Sequence, residues 1–402
     1  MTLSPAGVPT AGVRRLTRTL YGYAFLEDFV LLYPVYALLF SDTGLSVRQI
    51  SSLFVLWSLT GVLLEAPSGA WADAVSRRLL LWLGPLLTAA GFTLWTLLPS
   101  YGAFALGFVL WGAGGALASG AREALVYDEL ERLGAADRYA HVMGRARAAG
   151  LVAVMAAMGL AGPVLAWGGH TAVGAASVLA CLLTAATATR LPEHRTAEAA
   201  GHDGWTATLK AGLAEARADR SVRGALLLVP AVTAVWGALD EYTPLLVRDT
   251  GVSDTLVPHL LLLIWAGAMA GGLLAGTGER LRAKGLAALL AGAALALAVG
   301  AGAGTLAGIA LVALAFGGFQ AASVLADVRL QRRIDDARRA TLTSLAGLGT
   351  DLATVAVYGG YAVLGTAAGH GTAFAWFAVP YLVTALLLVA RPSPARARAA
   401  RE

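Results

Sequence analysis

The chain has 402 residues, of which 57% are hydrophobic and 14% are charged, and its mean hydropathy is +0.68. Globular proteins carry about 25% charged residues, so this composition excludes a soluble multi-domain protein and predicts that lipid surrounds most of the chain. The formal net charge is +5. Because the basic residues lie in short loops between apolar runs, they indicate membrane topology, and a nucleic-acid partner is not expected.

Mainly apolar runs of about 20 residues, the length that crosses a bilayer, follow one another along the whole chain. In chain order they lie at 18–40, 49–71, 79–98, 103–126, 146–166, 171–189, 224–246, 256–276, 286–302, 304–326, 341–364 and 372–390. The first run has no Ala-x-Ala-like cleavage site, so we predict a membrane helix and not a removed signal peptide. The sequence therefore predicts an all-α membrane protein with twelve transmembrane helices.

The positions of lysine and arginine predict how these helices are oriented. If both termini and every second loop are cytoplasmic, only Arg48 and Arg248 of the 30 basic residues lie on the opposite side. Basic residues concentrate in cytoplasmic loops, so the pattern favours an even number of helices with cytoplasmic termini. The excess of arginine over lysine, with abundant alanine and glycine, suggests a bacterium, and hence its cytoplasmic membrane.

An internal repeat indicates two similar halves. Residues 41–46, Ser-Asp-Thr-Gly-Leu-Ser, recur as residues 248–253, Arg-Asp-Thr-Gly-Val-Ser, at an offset of 207. Acidic doublets, Glu27-Asp28 and Asp240-Glu241, also occur in the first helix of each half. Repeats with a site between them are typical of transporters, so we predict two pseudo-symmetric six-helix bundles. The predicted bundles are 1–190 and 224–402, joined by a cytoplasmic linker, 191–223, that contains an amphipathic helix.

The loop between the second and third runs, residues 69–78, reads Gly-Ala-Trp-Ala-Asp-Ala-Val-Ser-Arg-Arg. It resembles the loop signature Gly-x-Leu-Ala-Asp-Arg-x-Gly-Arg-Arg of the major facilitator superfamily. The matching positions include Gly69, Asp73, Arg77 and Arg78. With twelve spans and a twofold repeat, the resemblance covers nearly the whole chain and implies a transporter fold.

The same resemblance implies a gate on the cytoplasmic side. In the superfamily the loop aspartate and arginine latch the two halves together. Asp73 would then face the start of helix eleven near Thr341, where the N-terminus of a helix favours an anion. Arg77 would pair with Asp128 at the end of helix four. The alternative interpretation is that these charges only fix the topology.

Helix five contains Gly159, Gly162 and Pro163, which partly resemble the Gly-Pro signature of drug/proton antiporters in the superfamily. Glycine and proline bend helices and allow neighbouring helices to slide. These residues therefore predict a kink, which could serve export or only packing. The arginine that many antiporters carry in helix four is missing from residues 107–112, and this weakens the antiporter hypothesis.

Charges inside the membrane are costly and are functional candidates by default. Glu27 and Asp28 lie about ten residues past Arg18, or ~15 Å along a helix. Adjacent residues point about 100° apart, so at most one of these carboxylates faces a central cavity. A carboxylate removed from water can exchange a proton, which proton coupling requires. Structural hydrogen bonding to a tyrosine or arginine is the alternative.

Three further charges complete the predicted cavity. Glu65 and Arg122 stand at similar heights on helices two and four, so we predict that they pair with each other. Asp351, about ten residues into helix eleven, is the acidic candidate of the second half. Aromatic residues could line an apolar cavity beside these charges. They are Tyr33, Trp57, Trp111, Trp236, Trp265 and Phe319.

The sequence contains no motif for ATP binding or for a metal-dependent enzyme. A phosphate-binding Gly-x-x-x-x-Gly-Lys-Ser/Thr loop is missing, and the six histidines are scattered without a His-Glu-x-x-His pattern. We therefore expect no ATP-driven pump, enzyme, cofactor or metal site. The single cysteine, Cys181, excludes an intramolecular disulfide.

The sequence leads to one functional hypothesis and two rivals. We predict a monomeric secondary transporter of the drug-exporter-like bacterial subset, in which protons drive efflux of a small amphipathic drug or metabolite. Such an antiporter would have protons, its substrate and the lipid bilayer as partners. One rival is uptake of a sugar or other nutrient. The other is a receptor on the same fold that transports nothing.

Overall fold

The structure, a computed structural model, describes residues 11–194, 220–334 and 339–390, without the side chains of 65–74, 220, 221, 339 and 340. These residues form α-helices joined by short turns and 3-10 segments. In chain order the helices are α1 (Ala11–Asp28), α2 (Tyr36–Asp42), α3 (Val47–Ala74), α4 (Arg77–Leu97), α5 (Tyr101–Ala118), α6 (Ala121–Arg132), α7 (Tyr139–Ala188), α8 (Arg220–Asp240), α9 (Thr243–Arg248), α10 (Val257–Leu274), α11 (Ala283–Gly302), α12 (Leu306–Gln331), α13 (Arg339–Trp376) and α14 (Val379–Ala390). The linker helix predicted at 204–223 lies almost wholly outside the described residues.

Twelve membrane crossings follow from these helices, as predicted. Nine stretches of the described residues are long and apolar enough to cross a membrane, and two of them, Ala136–Ala188 and Thr341–Ala390, hold 53 and 50 residues. One crossing needs about 20 residues, so each long stretch contains two crossings. Non-helical backbone divides them at Gly168–Gly169 and at Gly369; the φ angles of 62° at Gly169 and 78° at Gly369 favour glycine. The twelfth crossing is α1 together with α2.

The first crossing is interrupted, whereas the sequence predicted one continuous helix over 18–40. α1 ends at Asp28, and α2 begins at Tyr36 after a stretch of turns. Pro34 lies in this interruption, and proline has no N–H group with which to continue a helical ladder. The break therefore leaves the end of α1, with its two carboxylates, part of the way along the crossing.

The second half repeats this interruption. α8 ends at Asp240, and α9 begins at Thr243 with Pro244 in its first turn. Thr243 follows Tyr36, the start of α2, by 207 residues, which is the offset of the sequence repeat. Both acidic doublets therefore stand where the first crossing of a half breaks.

Helix four is also broken, although a single run was predicted over 103–126. α5 ends at Ala118 and α6 begins at Ala121, with Ser119 and Gly120 between them. A glycine at the break needs no side-chain space and tolerates unusual backbone angles. The interruption places the charged residues that follow Ala121 in the first turn of a new helix.

Helix five keeps helical backbone angles through Gly159, Gly162 and Pro163. The non-helical angles of α7 occur only at Gly168 and Gly169, beyond this segment. The predicted kink at the first three residues stays a prediction.

By their contacts the described residues fall into two compact units. The first unit takes them from Met1–Tyr36 and Leu56–Gly201, and the second from Ala37–Val55 and His202–Glu402. The continuous helix α3 therefore begins in the second unit and ends in the first. The domain boundary predicted at the linker stays a prediction, because most of that linker lies outside the described residues.

In the first unit α1 packs against α7, and α4 packs against α5 and α7. Leu16, Leu20 and Tyr23 of α1 are buried together with Leu81 and Leu125. The three residues of α1 are spaced three or four apart and share one helix face. Continuing this spacing by four residues brings Glu27 onto the same buried face.

Glycines let helices approach closely in both units. A Cβ atom added to Gly84 of α4 would meet the carbonyl oxygen of Gly114 of α5 at 2.7 Å. In the second unit, a Cβ atom added to Gly271 of α10 would overlap the carbonyl oxygen of Gly317 of α12. Lipid does not drive helices together as water does. Close contact between helix backbones therefore holds them together by van der Waals packing.

Replacing Gly271 with leucine is therefore expected to prevent the close packing of α10 on α12. The yield of folded, monodisperse protein in detergent should fall strongly, as measured by size-exclusion chromatography. The matched control is Gly292→Leu in α11, where an added Cβ atom meets nothing within 4 Å. Equal yields of the two variants would contradict this account of the packing.

Candidate functional site

A partly buried ion pair joins α1 and α6 in the first unit. The guanidinium of Arg122 donates a hydrogen bond to the carboxylate of Glu27, and the two side chains are 29% and 27% exposed. Tyr23, one turn before Glu27, places its hydroxyl 3.5 Å from this carboxylate and 3.2 Å from the carbonyl oxygen of Leu81. Charges in an apolar core are costly unless they are paired, so each of these groups compensates the other.

Arg122 thus has Glu27 as its ion-pair partner, 95 residues away in the chain. Its second partner is more distant, since Nη2 lies 3.9 Å from Oε1 of the adjacent Glu123. Among the described residues, the Nε atom of Arg122 is buried without a hydrogen-bond partner. The predicted pair of Arg122 with Glu65 stays a prediction, because the side chain of Glu65 lies outside the described residues.

Asp28, the last residue of α1, packs against α7. Its Oδ2 atom lies so close to Gly150 that a Cβ atom added to that glycine would overlap it. Adjacent helical residues point about 100° apart, which explains why Glu27 contacts α6 and Asp28 contacts α7. No ion pair of Asp28 is recorded in the part of the chain that the structure describes. The charge of Asp28 is therefore compensated less directly than that of Glu27.

Aromatic rings form a stack in the first unit. The ring of Trp111 lies nearly parallel to the rings of Trp57 and Tyr33, with centroids 4.7 Å and 5.3 Å away. All three side chains are partly exposed. In the second unit Phe319 is instead fully buried and stacks on Tyr381 at 3.9 Å. The prediction that Phe319 lines a cavity is therefore wrong.

The other two aromatic residues predicted to line a cavity in the second unit are Trp236 and Trp265. The indole of Trp236 donates a hydrogen bond of 3.1 Å to the hydroxyl of Ser323, and its backbone N–H donates one of 2.8 Å to Tyr381. This residue is tied into the packing between helices. Trp265 is 37% exposed.

The loop between α3 and α4 is held by two acidic residues. Arg77 pairs with Asp128 of α6, the contact that the family resemblance implies. Glu193, which follows α7, accepts hydrogen bonds from the hydroxyl of Ser76 and, at 2.7 Å, from the backbone N–H of Arg77. Glu193 thereby caps the start of α4 and fixes the residue that carries the guanidinium.

The other residues of the predicted cytoplasmic gate are Gly69, Asp73 and Arg78. Arg78 is exposed. The backbone of Gly69 and Asp73 belongs to α3, and the side chain of Asp73 lies outside the described residues. Their roles in gating stay predictions.

A second acidic residue anchors the chain after α7. Glu129 of α6 is 2% exposed and accepts hydrogen bonds from the backbone N–H of His194 at 2.7 Å and from Arg132 at 2.9 Å. Glu129 and Glu193 together attach the segment after α7 to α6 and α4. Sequence reasoning missed both residues, because each acts over more than 60 positions of the chain.

The second unit contains a polar and aromatic contact that we name the clasp: Ser41, Asp42, Ser51, Tyr242 and Arg248. Arg248 donates to Asp42 at 2.6 Å and also to Ser41, its counterpart in the sequence repeat. The hydroxyl of Tyr242 donates to Ser51 at 2.8 Å. The clasp joins residues from the first half of the sequence, 37–55, to α9 and to the break that precedes it in the second half.

The acidic candidates of the second unit lie on two helices. Asp351, predicted at mid-depth, belongs to α13 and is partly buried. Asp240 and Glu241 are also partly buried, at the break between α8 and α9. The break in the second half thus carries an acidic doublet, as the break after Asp28 does.

Known proteins share this helical architecture. The family model described as Major Facilitator Superfamily matches residues 21–358. No match was found among curated proteins. Among solved structures, the nucleoside transporter NupG superposes with a TM-score of 0.75 at 14% identity, over 94% of this chain and 98% of that chain.

Two other solved structures show the same fold. The POT family transporter PepTSo has a TM-score of 0.67 at 13% identity, over 93% of this chain and 97% of its own. A D-xylose-proton symporter has a TM-score of 0.66 at 15% identity, over 93% of this chain and 96% of its own. At such identities the likeness concerns the fold alone.

Proposed function

This chain belongs to the major facilitator superfamily, and we propose that it uses protons to export a small amphipathic compound across a bacterial cytoplasmic membrane. Members of the superfamily are transporters and not enzymes. The basic loops support cytoplasmic termini. The twofold repeat supports a central site between two halves that alternately opens to either side.

The observation that carries the proposal is the position of Asp28 beside the Glu27–Arg122 pair. Arg122 directly compensates Glu27, whereas no ion pair of Asp28 is recorded among the described residues. Asp28 also ends a broken crossing, and interrupted helices supply the coupling-ion sites of many transporters. We assign the proton-carrying role to Asp28 and the role of a fixed counter-ion pair to Glu27 and Arg122.

The aromatic stack supports the chemical class of the substrate. The parallel rings of Tyr33, Trp111 and Trp57 offer a partly exposed apolar wall in the same unit as Asp28. Ligand sites are mostly apolar and contain few polar groups, which fits an amphipathic compound. Export is supported by the partial antiporter resemblance of helix five, around Gly162 and Pro163.

A transporter that opens alternately to the two sides of the membrane needs contacts that close each side, and we expect them at the two ends of α3. The clasp lies at its beginning and the Arg77–Asp128 pair beyond its end, and a helix of 28 residues is about 42 Å long. In the predicted topology the clasp is on the outer side and the ion pair is on the cytoplasmic side. We propose that the clasp breaks when the transporter opens outward and that the ion pair breaks when it opens inward.

Linking the clasp covalently is therefore expected to stop transport. Cysteines at positions 42 and 248, joined by a short bifunctional thiol reagent, should reduce flux to background. Each single variant, Asp42→Cys or Arg248→Cys, treated with the same reagent is the control. The native Cys181 is 4% exposed and should not react. Full flux in the cross-linked protein would show that the clasp does not open during transport.

The experiment that tests the proposed function is transport in proteoliposomes with an imposed pH gradient. A panel of amphipathic drugs, sugars and nucleosides is offered, and uptake into vesicles or release from them is followed with and without the gradient. Movement of an amphipathic compound against the proton flow supports export. Movement of a sugar or nucleoside with the protons would favour nutrient uptake. Binding without flux would favour a receptor.

A further inference from the structure

A hydroxyl group from the last crossing lies at the hydrogen-bond ladder of α8. The hydroxyl of Tyr381, in α14, accepts a hydrogen bond of 2.8 Å from the backbone N–H of Trp236 and donates one of 3.2 Å to the carbonyl oxygen of Val232. In a regular α-helix each N–H group binds the carbonyl group four residues earlier, so these two backbone groups are natural partners. A tyrosine hydroxyl can donate and accept at once, and it therefore satisfies both groups.

Proline and glycine flank this position in α8. Pro230 lies inside the helix and has no N–H group for the carbonyl group of Leu226, four residues earlier. Gly237, the residue after Trp236, is exposed, and a Cβ atom added to it would meet nothing within 4 Å, so close packing does not require a glycine there. Glycine weakens the interior of a helix because its backbone has more freedom to lose than that of other residues. The ladder of α8 is therefore weakened over residues 230–237.

Neighbouring helices hold the hydroxyl in place. The side chain of Tyr381 is fully buried, and its ring stacks on Phe319 of α12 with centroids 3.9 Å apart. Ser323, one turn further along α12, accepts hydrogen bonds from the indole of Trp236 at 3.1 Å and from the hydroxyl of Thr233 at 3.2 Å. The weakened part of α8 is therefore attached to α12 and α14.

We propose that Tyr381 is the hinge residue of α8. Sharp kinks, of more than about 20°, occur where a side chain enters the ladder of a helix. When the hydroxyl withdraws, Val232 and Trp236 bind each other and the helix straightens. Both backbone groups have a partner in either state, so only the tyrosine hydroxyl loses its partners. Tyr381 is thus a positioning residue that selects between a bent and a straight α8.

The clasp determines which part of α8 moves. Tyr242 and Arg248, which follow the hinge, are bound to Ser51 and Asp42. The free arm is therefore the part of α8 before the hinge, which is cytoplasmic in the predicted topology. An arm of about ten residues is ~15 Å long, so a change of about 20° moves its end by about 5 Å. A role of this movement in opening the cytoplasmic side rests on the proposed function, whereas the hinge itself does not.

Distances between spin labels test the hinge in the full-length protein in nanodiscs. The labels are attached to Arg223→Cys, in the arm, and to Lys284→Cys, at the start of α11; both positions are exposed. The native Cys181 is buried and should not react. Tyr381→Phe removes the hydroxyl but keeps the ring and its stacking, so the variant should fold. We expect its main distance, measured by double electron–electron resonance, to differ from the wild-type distance by about 5 Å.

The matched control is Tyr358→Phe. Tyr358 is also buried in the second unit, and no hydrogen bond of its hydroxyl is recorded among the described residues. This variant should keep the wild-type distance. An unchanged distance in Tyr381→Phe, or an equal shift in the control, would overturn the proposal.

A further variant, Pro230→Ala, tests whether proline alone bends the helix. It restores the N–H group at position 230 but leaves the hydroxyl in the ladder, so its distance should shift less than that of Tyr381→Phe. A larger shift in Pro230→Ala would overturn the role of Tyr381. These distances need no substrate and no flux, so failure of the hinge is distinguishable from failure of the proposed transport function.

Discussion

Replacing Asp28 with asparagine is expected to abolish transport driven by a pH gradient while leaving the protein folded. Asparagine keeps the shape of the side chain but cannot release a proton. In the proposed mechanism the wild-type carboxylate exchanges protons as its surroundings alternate between water and protein, and this exchange couples the two fluxes. Flux driven by a pH gradient in proteoliposomes should therefore fall to background.

The Asp28→Asn protein should still bind substrate and exchange it between the two sides without a gradient. Its thermal unfolding should be unchanged or slightly improved, because the substitution removes a partly buried charge. The matched control is Asp137→Asn, which replaces an exposed carboxylate of the same unit. If the Asp28→Asn protein transports as the Asp137→Asn protein does, another group carries the proton.

Replacing Arg122 with methionine is expected to destabilise the protein by about 3 kcal/mol, because Glu27 then remains partly buried without its cation. The double variant Glu27→Gln/Arg122→Met should recover most of this loss, since neutral side chains of similar volume can replace a partly buried ion pair at little cost. Thermal and denaturant unfolding in detergent measure both effects.

The control for this pair is Arg147→Met, which replaces an exposed arginine of α7 and should change stability by no more than about 0.5 kcal/mol. Transport by the double variant separates structure from mechanism. If the pair only neutralises two charges, the folded double variant should retain coupling through Asp28. A double variant no more stable than Arg122→Met would contradict the assignment of Glu27 as the counter-ion.

The number of helices could be predicted because hydropathy and loop charge both indicate where the chain crosses the membrane. A crossing must be apolar over about 20 residues, and its cytoplasmic end attracts arginine and lysine. The interruptions after Asp28 and Asp240 could not be predicted in this way. A hydropathy window averages over Pro34 and Pro244 and records only that their surroundings are apolar.

Glycine alone could not mark the break in helix four or the ends of the long helices. The chain contains 48 glycines, and many lie inside continuous helices. Gly120 and Gly169 interrupt or divide helices, whereas Gly84 and Gly271 serve close packing between them. Only the three-dimensional neighbours of each glycine distinguish these uses.

The candidate site was predictable where a short motif carried the information. The pair of Arg77 with Asp128 follows from the family resemblance. The pair of Glu27 with Arg122 does not, because nothing in the local sequence relates two charges 95 residues apart. Asp42 and Arg248 both lie in the repeated segments of the sequence. The repeat alone does not indicate that these two residues contact each other.

The most direct test of the central claim is whether substrate movement drives protons. Proteoliposomes with a trapped pH indicator and no initial pH gradient receive external substrate, which then enters down its own gradient. Antiport predicts that protons leave and that the lumen becomes alkaline, in the wild-type protein but not in the Asp28→Asn protein. A lumen that acidifies, or keeps its pH while substrate enters, would contradict proton-coupled export.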